Sequence, residues 1–197
     1  MSDARLARQI EFLTEADKLK TIVRRTPLAD QSRLENSAEH SWHVALAAIA
    51  LREYAPDVDL QRVLELIAVH DLVEIDAGDT FAYDPDGRVH MTKTDRERAA
   101  ADRVFGLLPA DQGARLRERW EEFEAMESAE ARYANALDRL QALLQNMSAG
   151  GGSWSTYGVT RAQVLARMAP VETTLPDVWP FVLDVIDRFC AEGAIRE

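Results

Sequence analysis

Apolar residues recur along this chain at intervals of three and four, the spacing that gives an α-helix one buried face. The pattern is clearest near the C-terminus, where Val178, Phe181, Val182, Val185, Ile186 and Phe189 predict a helix. Ile10, Leu13, Ala16, Leu19, Ile22 and Val23, with Phe12 beside them, predict a first helix ending before Pro27; residues 28–36 are polar and read as loop. Asn36 or Ser37 can cap a second helix running to about Tyr54, ahead of Pro56. A third covers about residues 59–76, burying Val63, Leu64, Ile67 and Val69, and stops at Ala77-Gly78. Asp84-Pro85-Asp86-Gly87 marks residues 79–92 as turn and loop. Helices follow at about residues 93–107, 111–126 and 128–149, before three glycines at 150–152. No convincing period-two alternation and no repeat of fixed length appears. The expectation is an all-α fold: one helical bundle over residues 1–197, with a core at about 19–149 and a helical extension at about 150–197.

Composition narrows the partners. At 197 residues, 47% hydrophobic and 29% charged, the chain can bury a core and does not read as disordered. Its 34 acids against 23 Lys and Arg give a net charge of −11, which argues against a nucleic acid polymer or an anionic membrane as partner. An anionic substrate would have to be captured locally, by a metal or a few placed basic residues. The longest apolar run, Val44 to Leu51, is far too short to span a bilayer. The first thirty residues carry acids and no signal-peptide core, and the single cysteine can form no internal disulfide, so the expected compartment is the cytoplasm.

Three of the four histidines fall in two short segments, both on predicted helices. These are Glu35-Asn36-Ser37-Ala38-Glu39-His40-Ser41-Trp42-His43 and His70-Asp71-Leu72-Val73-Glu74-Ile75-Asp76-Ala77-Gly78-Asp79. His70 and Asp71 diverge around a helix but can converge on an ion over the edge between them; Glu74 lies one turn on. A further acid, Asp138, sits at the rim of the apolar stripe Tyr133, Leu137, Leu140 and Leu144, where it is costly unless neutralised. Imidazole and carboxylate together suit a divalent cation, whether Mn, Fe, Co, Ni, Zn or Mg. The same pattern also fits histidines that are merely hydrogen-bonded.

These segments resemble the HD superfamily of metal-dependent phosphohydrolases, and within it the small stand-alone bacterial 5′-deoxynucleotidases. The resemblance runs from about Leu19 to Leu144, on Glu35-Asn36-x-x-Glu39-His40-Ser41, His70-Asp71-x-x-Glu74, Gly78-Asp79 and the late Asp138. It implies an HD-type helical bundle around one divalent metal held by His40, His70, Asp71 and Asp138, in a homodimer. It also implies that Glu74 assists catalysis, that Asp79 meets the substrate near the sugar, and that Arg24 contacts the nucleotide. Those enzymes carry a tryptophan after that arginine. Arg25 stands there in this chain, able to stack on a base or engage a phosphate, with Lys20 a further basic candidate. The expected activity is hydrolysis of nucleoside 5′-monophosphates, with phosphate monoesters as the substrate class. A phosphodiesterase or pyrophosphohydrolase acting on a signalling nucleotide, or a non-catalytic metal-binding dimerisation module, are the alternatives.

Other residues carry less. His43 shares a face with His40 and reads as support or as packing with Trp42; His90 reads as a solvated loop residue. Asp84 and Asp86 lack the ligand series of a calcium loop. Cys190 has no histidine near it in sequence to make it a nucleophile. The glycine-rich run 150–158 has no P-loop lysine, and its aromatics read as a connection, a lid or a dimer contact. Residues 118–124 and Arg96-Glu97-Arg98 read as solvated helix faces.

Overall fold

A computed structural model describes residues 3–83 and 89–197. Its long central helix α7 (Ala129–Ser148) begins where the Ser128 hydroxyl accepts from the Ala131 amide. Tyr133, Leu137, Leu140 and Leu143 are buried along it. Each such side chain withdrawn from water contributes roughly 2 kcal/mol, so α7 organises the main core. Helices α2 (Ser37–Ala50), α3 (Leu60–Val69), α6 (Ala110–Ala125), α8 (Gly152–Tyr157) and α9 (Arg161–Thr174) pack against it, and α10 (Trp179–Ala191) packs on α9. A second apolar cluster, with Phe12, Leu19, Val104, Phe105 and Trp120, joins α1 (Asp3–Ala16), α5 (Val89–Gly106) and α6.

The helical bundle is as expected, but several elements differ from the sequence pattern. The first helix stops at Ala16 and is followed by a 3₁₀ turn over Asp17–Thr21. An antiparallel pair then forms from β1 (Val23–Pro27) and β2 (Leu34–Asn36), where helix and loop were expected. The pair escapes the pattern because its inward residues are polar: Arg24, Thr26 and Glu35 are turned in, while Val23 and Leu34 are exposed. Ile10 and Leu13 likewise face outward instead of into the core.

The third expected helix is divided: α3 ends at Val69, His70 to Val73 form a turn, and a short α4 covers Glu74–Ala77. Gly78, at φ 74°, stops α4 where the sequence placed the break. Helix α5 starts at Val89, four residues earlier than expected. The turn expected at Asp84 and Asp86, and the side chain of His90, lie outside the described residues. The glycine-rich run is not a plain connection, since it contains α8, and Trp154 on that helix is buried against Phe189. Helix α9 lies within the expected helical extension, and Thr160 and Gln163 form a capping box at its start.

A candidate metal centre in a charged cleft

The side chains of interest come from different elements and meet in one cleft of about 320 Å³, lined among others by Arg24, Arg25, His70, Asp71, Glu74, Asp79 and Asp138. That is the scale of a small-molecule site. Helix α2 brings in His40 one turn after its capping box, in which the Asn36 side chain accepts from the Glu39 amide and Glu39 accepts from the Asn36 amide. The turn after α3 delivers His70 and Asp71, α4 delivers Glu74, and α7 delivers Asp138.

Proton positions in the two imidazoles follow from their neighbours. The Gln141 amide nitrogen donates to Glu35 Oε1 at 2.8 Å and faces His43 Nδ1 at 3.2 Å, which fixes its oxygen toward His40. His40 Nδ1–H donates to that oxygen at 2.7 Å, and His70 Nδ1–H donates to the Ile67 carbonyl at 2.8 Å. Burial holds His40 neutral, with its pKa lowered to about 4, so this ring's one proton is on Nδ1.

Nε2 of each ring is the nitrogen turned toward the carboxylates, and that of the neutral His40 presents a lone pair. That of His40 is 2.9 Å from Asp138 Oδ1. That of His70 is 3.1 Å from Asp71 Oδ1 and has no hydrogen-bond partner although buried. A lone pair facing a carboxylate at this separation is repelled unless a cation lies between them. Donor atoms of His40, His70 and Asp138 all fall within 4.8 Å of one another, and Asp71 Oδ2 is 4.0 Å from His40 Nε2. This nitrogen and oxygen set fits a divalent metal.

The electrostatics point the same way. Burial raises the Asp71 carboxyl to about 8; Arg24 opposes this, and the nearby Asp138 and Asp79 add to it. Burial, then Asp71 and Asp79, lift Glu74 well above the ordinary range; its Oε2 accepts from the Ser37 hydroxyl at 2.6 Å. Burial works against the charge on Asp138, and Arg167, with Nη2 3.3 Å from its Oδ2, favours that charge. Burial lifts Glu35 to about 7. Acids gathered this closely favour a bound cation.

Arg24 reaches into this cluster, 3.4 Å from Asp71, 3.5 Å from Glu35 and 3.9 Å from Asp79. Arg25 lies over the rings of Phe81 and Tyr157, at 5.1 Å and 5.5 Å from their centroids. The centroids of those rings are 4.6 Å apart, so Tyr157 of α8 backs Phe81, which lines the cleft. Lys20 is not brought to the cleft; it is exposed and paired with Asp17. His43 supports Gln141. Cys190 is partly buried on α10, with its thiol pKa raised by burial, which does not favour a thiolate nucleophile.

Four contributors to the cleft had no functional signal in the sequence: Gln141, Ser37, Arg139 and Arg167. Burial, then the neighbouring Arg167, depresses Arg139 to about 10. Arg167 comes from α9, beyond the motif-bearing stretch, and only the folded chain brings it to Asp138.

A helical bundle with a histidine–aspartate donor cluster in a charged cleft defines a class, and the comparisons give its family. Residues 16–179 match the HD domain family, and the chain belongs to it. It is similar, at 47% identity and TM-score 0.92, to the solved structure of a predicted metal-dependent phosphohydrolase from Magnetospirillum magnetotacticum; 98% of this chain and 96% of that one are covered. It is 31% identical to the human 5′-deoxynucleotidase HDDC2, over 69% of this chain and 65% of that protein, just under two thirds of the relative's length. The 5′-deoxynucleotidase yfbR of Photorhabdus temperata is 27% identical, over 80% of this chain and 83% of its own.

Proposed function

We propose that this chain is a metal-dependent phosphohydrolase that cleaves nucleoside 5′-monophosphates to nucleoside and phosphate. The observation that carries the reading is the convergence of the His40 and His70 Nε2 atoms with Asp71 and Asp138 beside a cleft of small-molecule size. The relatives named 5′-deoxynucleotidases support the substrate class. His40, His70, Asp71 and Asp138 would hold one divalent cation. When bound, such an ion supplies Lewis-acid polarisation and a more acidic water.

The chain's own residues do the rest. Gln141 keeps the proton of His40 on Nδ1, and the Ile67 carbonyl does the same for His70, leaving both Nε2 atoms turned toward the carboxylates. Ser37 fixes the Glu74 carboxyl, whose pKa burial raises, and Glu74 would accept and return a proton. Arg24 steadies Asp71 and Asp79, and Asp79 would meet a sugar hydroxyl. Phe81, backed by Tyr157, and Arg25 offer a stacking surface for a base.

We read residues 1–197 as one domain, because α9 and α10 complete the core around α7, and we place the protein in the cytoplasm. No helix among the described residues is long and apolar enough to cross a membrane. We further propose a homodimer, supported by an exposed apolar stripe on α2 of Trp42, Leu46 and Ile49.

The test is a panel of nucleoside monophosphates with Mn, Co, Ni, Mg and Zn, read as phosphate released. Asp71→Ala should lose bound metal and activity together. Glu74→Gln should keep the metal and lose at least a hundredfold in rate. Full turnover by Glu74→Gln would remove Glu74 from the mechanism, and no phosphate from any monoester with any metal would remove the function.

A further inference from the structure

Three carboxyl groups surround Arg24, and one of them stands apart from the cleft. Asp71 and Asp79 line the cleft; Glu35 is 2% exposed and does not. Its two oxygens face the site from behind. Oε1 accepts from Gln141 Nε2 at 2.8 Å, and Gln141 accepts in turn from His40 Nδ1 at 2.7 Å. Oε2 lies 3.5 Å from Arg24 Nε and 3.8 Å from His40 Nδ1. Both Oε2 and Arg24 Nε are buried without a hydrogen-bond partner, so the charge of each is what offsets the other. The β1–β2 pair sets this contact: Arg24 and Glu35 are inward residues of adjacent antiparallel strands, next to the paired Val23 and Asn36.

A carboxyl group shut away from water is costly unless its neighbours fix it, and these neighbours belong to two different halves of the site. Beyond the Glu35 contact, Arg24 extends Nη1 toward Asp71 and Asp79, so its Nε edge is backed while its tip reaches the cleft. A guanidinium held along one edge presents its remaining donors in one orientation, and such a fork matches the oxygens of a phosphoryl group. We infer that Glu35 is a positioning residue for both halves: through Gln141 it fixes the ring of His40, and along the Nε edge it aims Arg24 at the anionic group of the substrate. This deepens the proposed function and rests on it for the cation and for the phosphate.

An amide at this position separates the two roles. Gln141 Nε2 and Arg24 Nε are both donors, and Glu35→Gln leaves a single oxygen for them; Gln141, at 2.8 Å against 3.5 Å, keeps it. Glu35→Leu leaves no acceptor. Mn binding to the metal-free protein and inorganic phosphate binding to the Mn-loaded protein are measured by titration calorimetry for the native chain and both variants. Melting temperature, and KM and kcat for a nucleoside monophosphate, are measured alongside. Glu35→Gln should keep Mn affinity within threefold and weaken phosphate at least fivefold, with KM rising by a larger factor than kcat falls. Glu35→Leu should weaken phosphate as well as Mn, the latter by about tenfold. A side chain that merely filled space would not part the metal from the anion in this way. Should Glu35→Leu not fold, Glu35→Gln carries the test.

Native phosphate affinity in Glu35→Gln overturns the inference, as does native Mn affinity in a folded Glu35→Leu or loss of Mn in Glu35→Gln. A native chain that binds no phosphate in the presence of Mn overturns it too. If nucleotide is hydrolysed and both variants behave as the native chain does, the proposed function stands without Glu35. If metal and phosphate part as expected but no nucleoside monophosphate is hydrolysed, the positioning role stands and the proposed function falls.

Discussion

Gln141 is uncharged, yet its amide is held by Glu35, His43 and His40, and it decides which nitrogen of His40 carries a proton. A neutral imidazole free to change tautomer would put a proton on Nε2 whenever the nearby Asp138 oxygen accepts it, and a protonated Nε2 cannot ligate a metal. Gln141→Leu keeps the approximate size and removes the acceptor. It should lower metal affinity by about tenfold to a hundredfold, the usual cost of losing such an outer partner. Titration of the metal-free protein with Mn, or the absorption spectrum of the Co form, checks this. Native affinity in the Leu variant would show that the ring needs no such anchor. The residues that a reader of the sequence would pick, His40, His70, Asp71 and Asp138, do converge. Their supports were hidden because a glutamine or a serine on a helix carries no distinguishing pattern until the fold supplies its partner.

Elements differ in how openly the sequence declares them. Helices α7 and α10 bury an apolar face at helical period, and α2 and α7 carry side-chain caps, so period or cap identifies each. The β1–β2 pair faces a charged cleft. Its period-two signal is written in Arg24, Thr26 and Glu35, and a hydrophobic pattern cannot register it. The segment after α3 is divided for a related reason: turning the chain at residues 70–73 lets His70 and Asp71 face one point, which an unbroken helix would separate around its circumference. Helix α2 couples the β-pair to the candidate metal donors, since Asn36 ends β2 and caps the helix that carries Ser37 and His40. Asn36→Ala removes an N-cap worth about 1 kcal/mol. In a chain of this length it should lower the melting temperature by about 3 °C. Differential scanning calorimetry on the metal-free protein would reveal the loss, and an unchanged melting temperature would mean that β2 alone fixes the start of α2.

The whole molecule bears a net charge of −11, and two such chains repel at long range. A homodimer therefore needs an apolar contact, and α2 offers one at the helical spacing i, i+4, i+7: Trp42, Leu46 and Ile49 are 67%, 47% and 53% exposed. The opposite face of the same helix buries His40, Val44 and Ala48, so the stripe is no by-product of a frayed end. Helix α1 shows a similar stripe in Leu6, Ile10 and Leu13, on an element that packs chiefly on the smaller apolar cluster. The α2 stripe lies on the helix that carries His40, which makes it the contact proposed for the dimer. Leu46→Glu with Ile49→Glu should convert a protein of twice the chain mass into a monomer, as measured by light scattering on a sizing column. The melting temperature of the monomer should stay close to that of Ile10→Glu with Leu13→Glu, which should remain dimeric. Raising the salt concentration should strengthen the native dimer, because screening removes the repulsion and leaves the apolar contact. If the α1 pair and not the α2 pair breaks the assembly, the dimer forms through the N-terminal helix; if the native chain runs at a single chain mass, both stripes are free surfaces and the dimer is disproved.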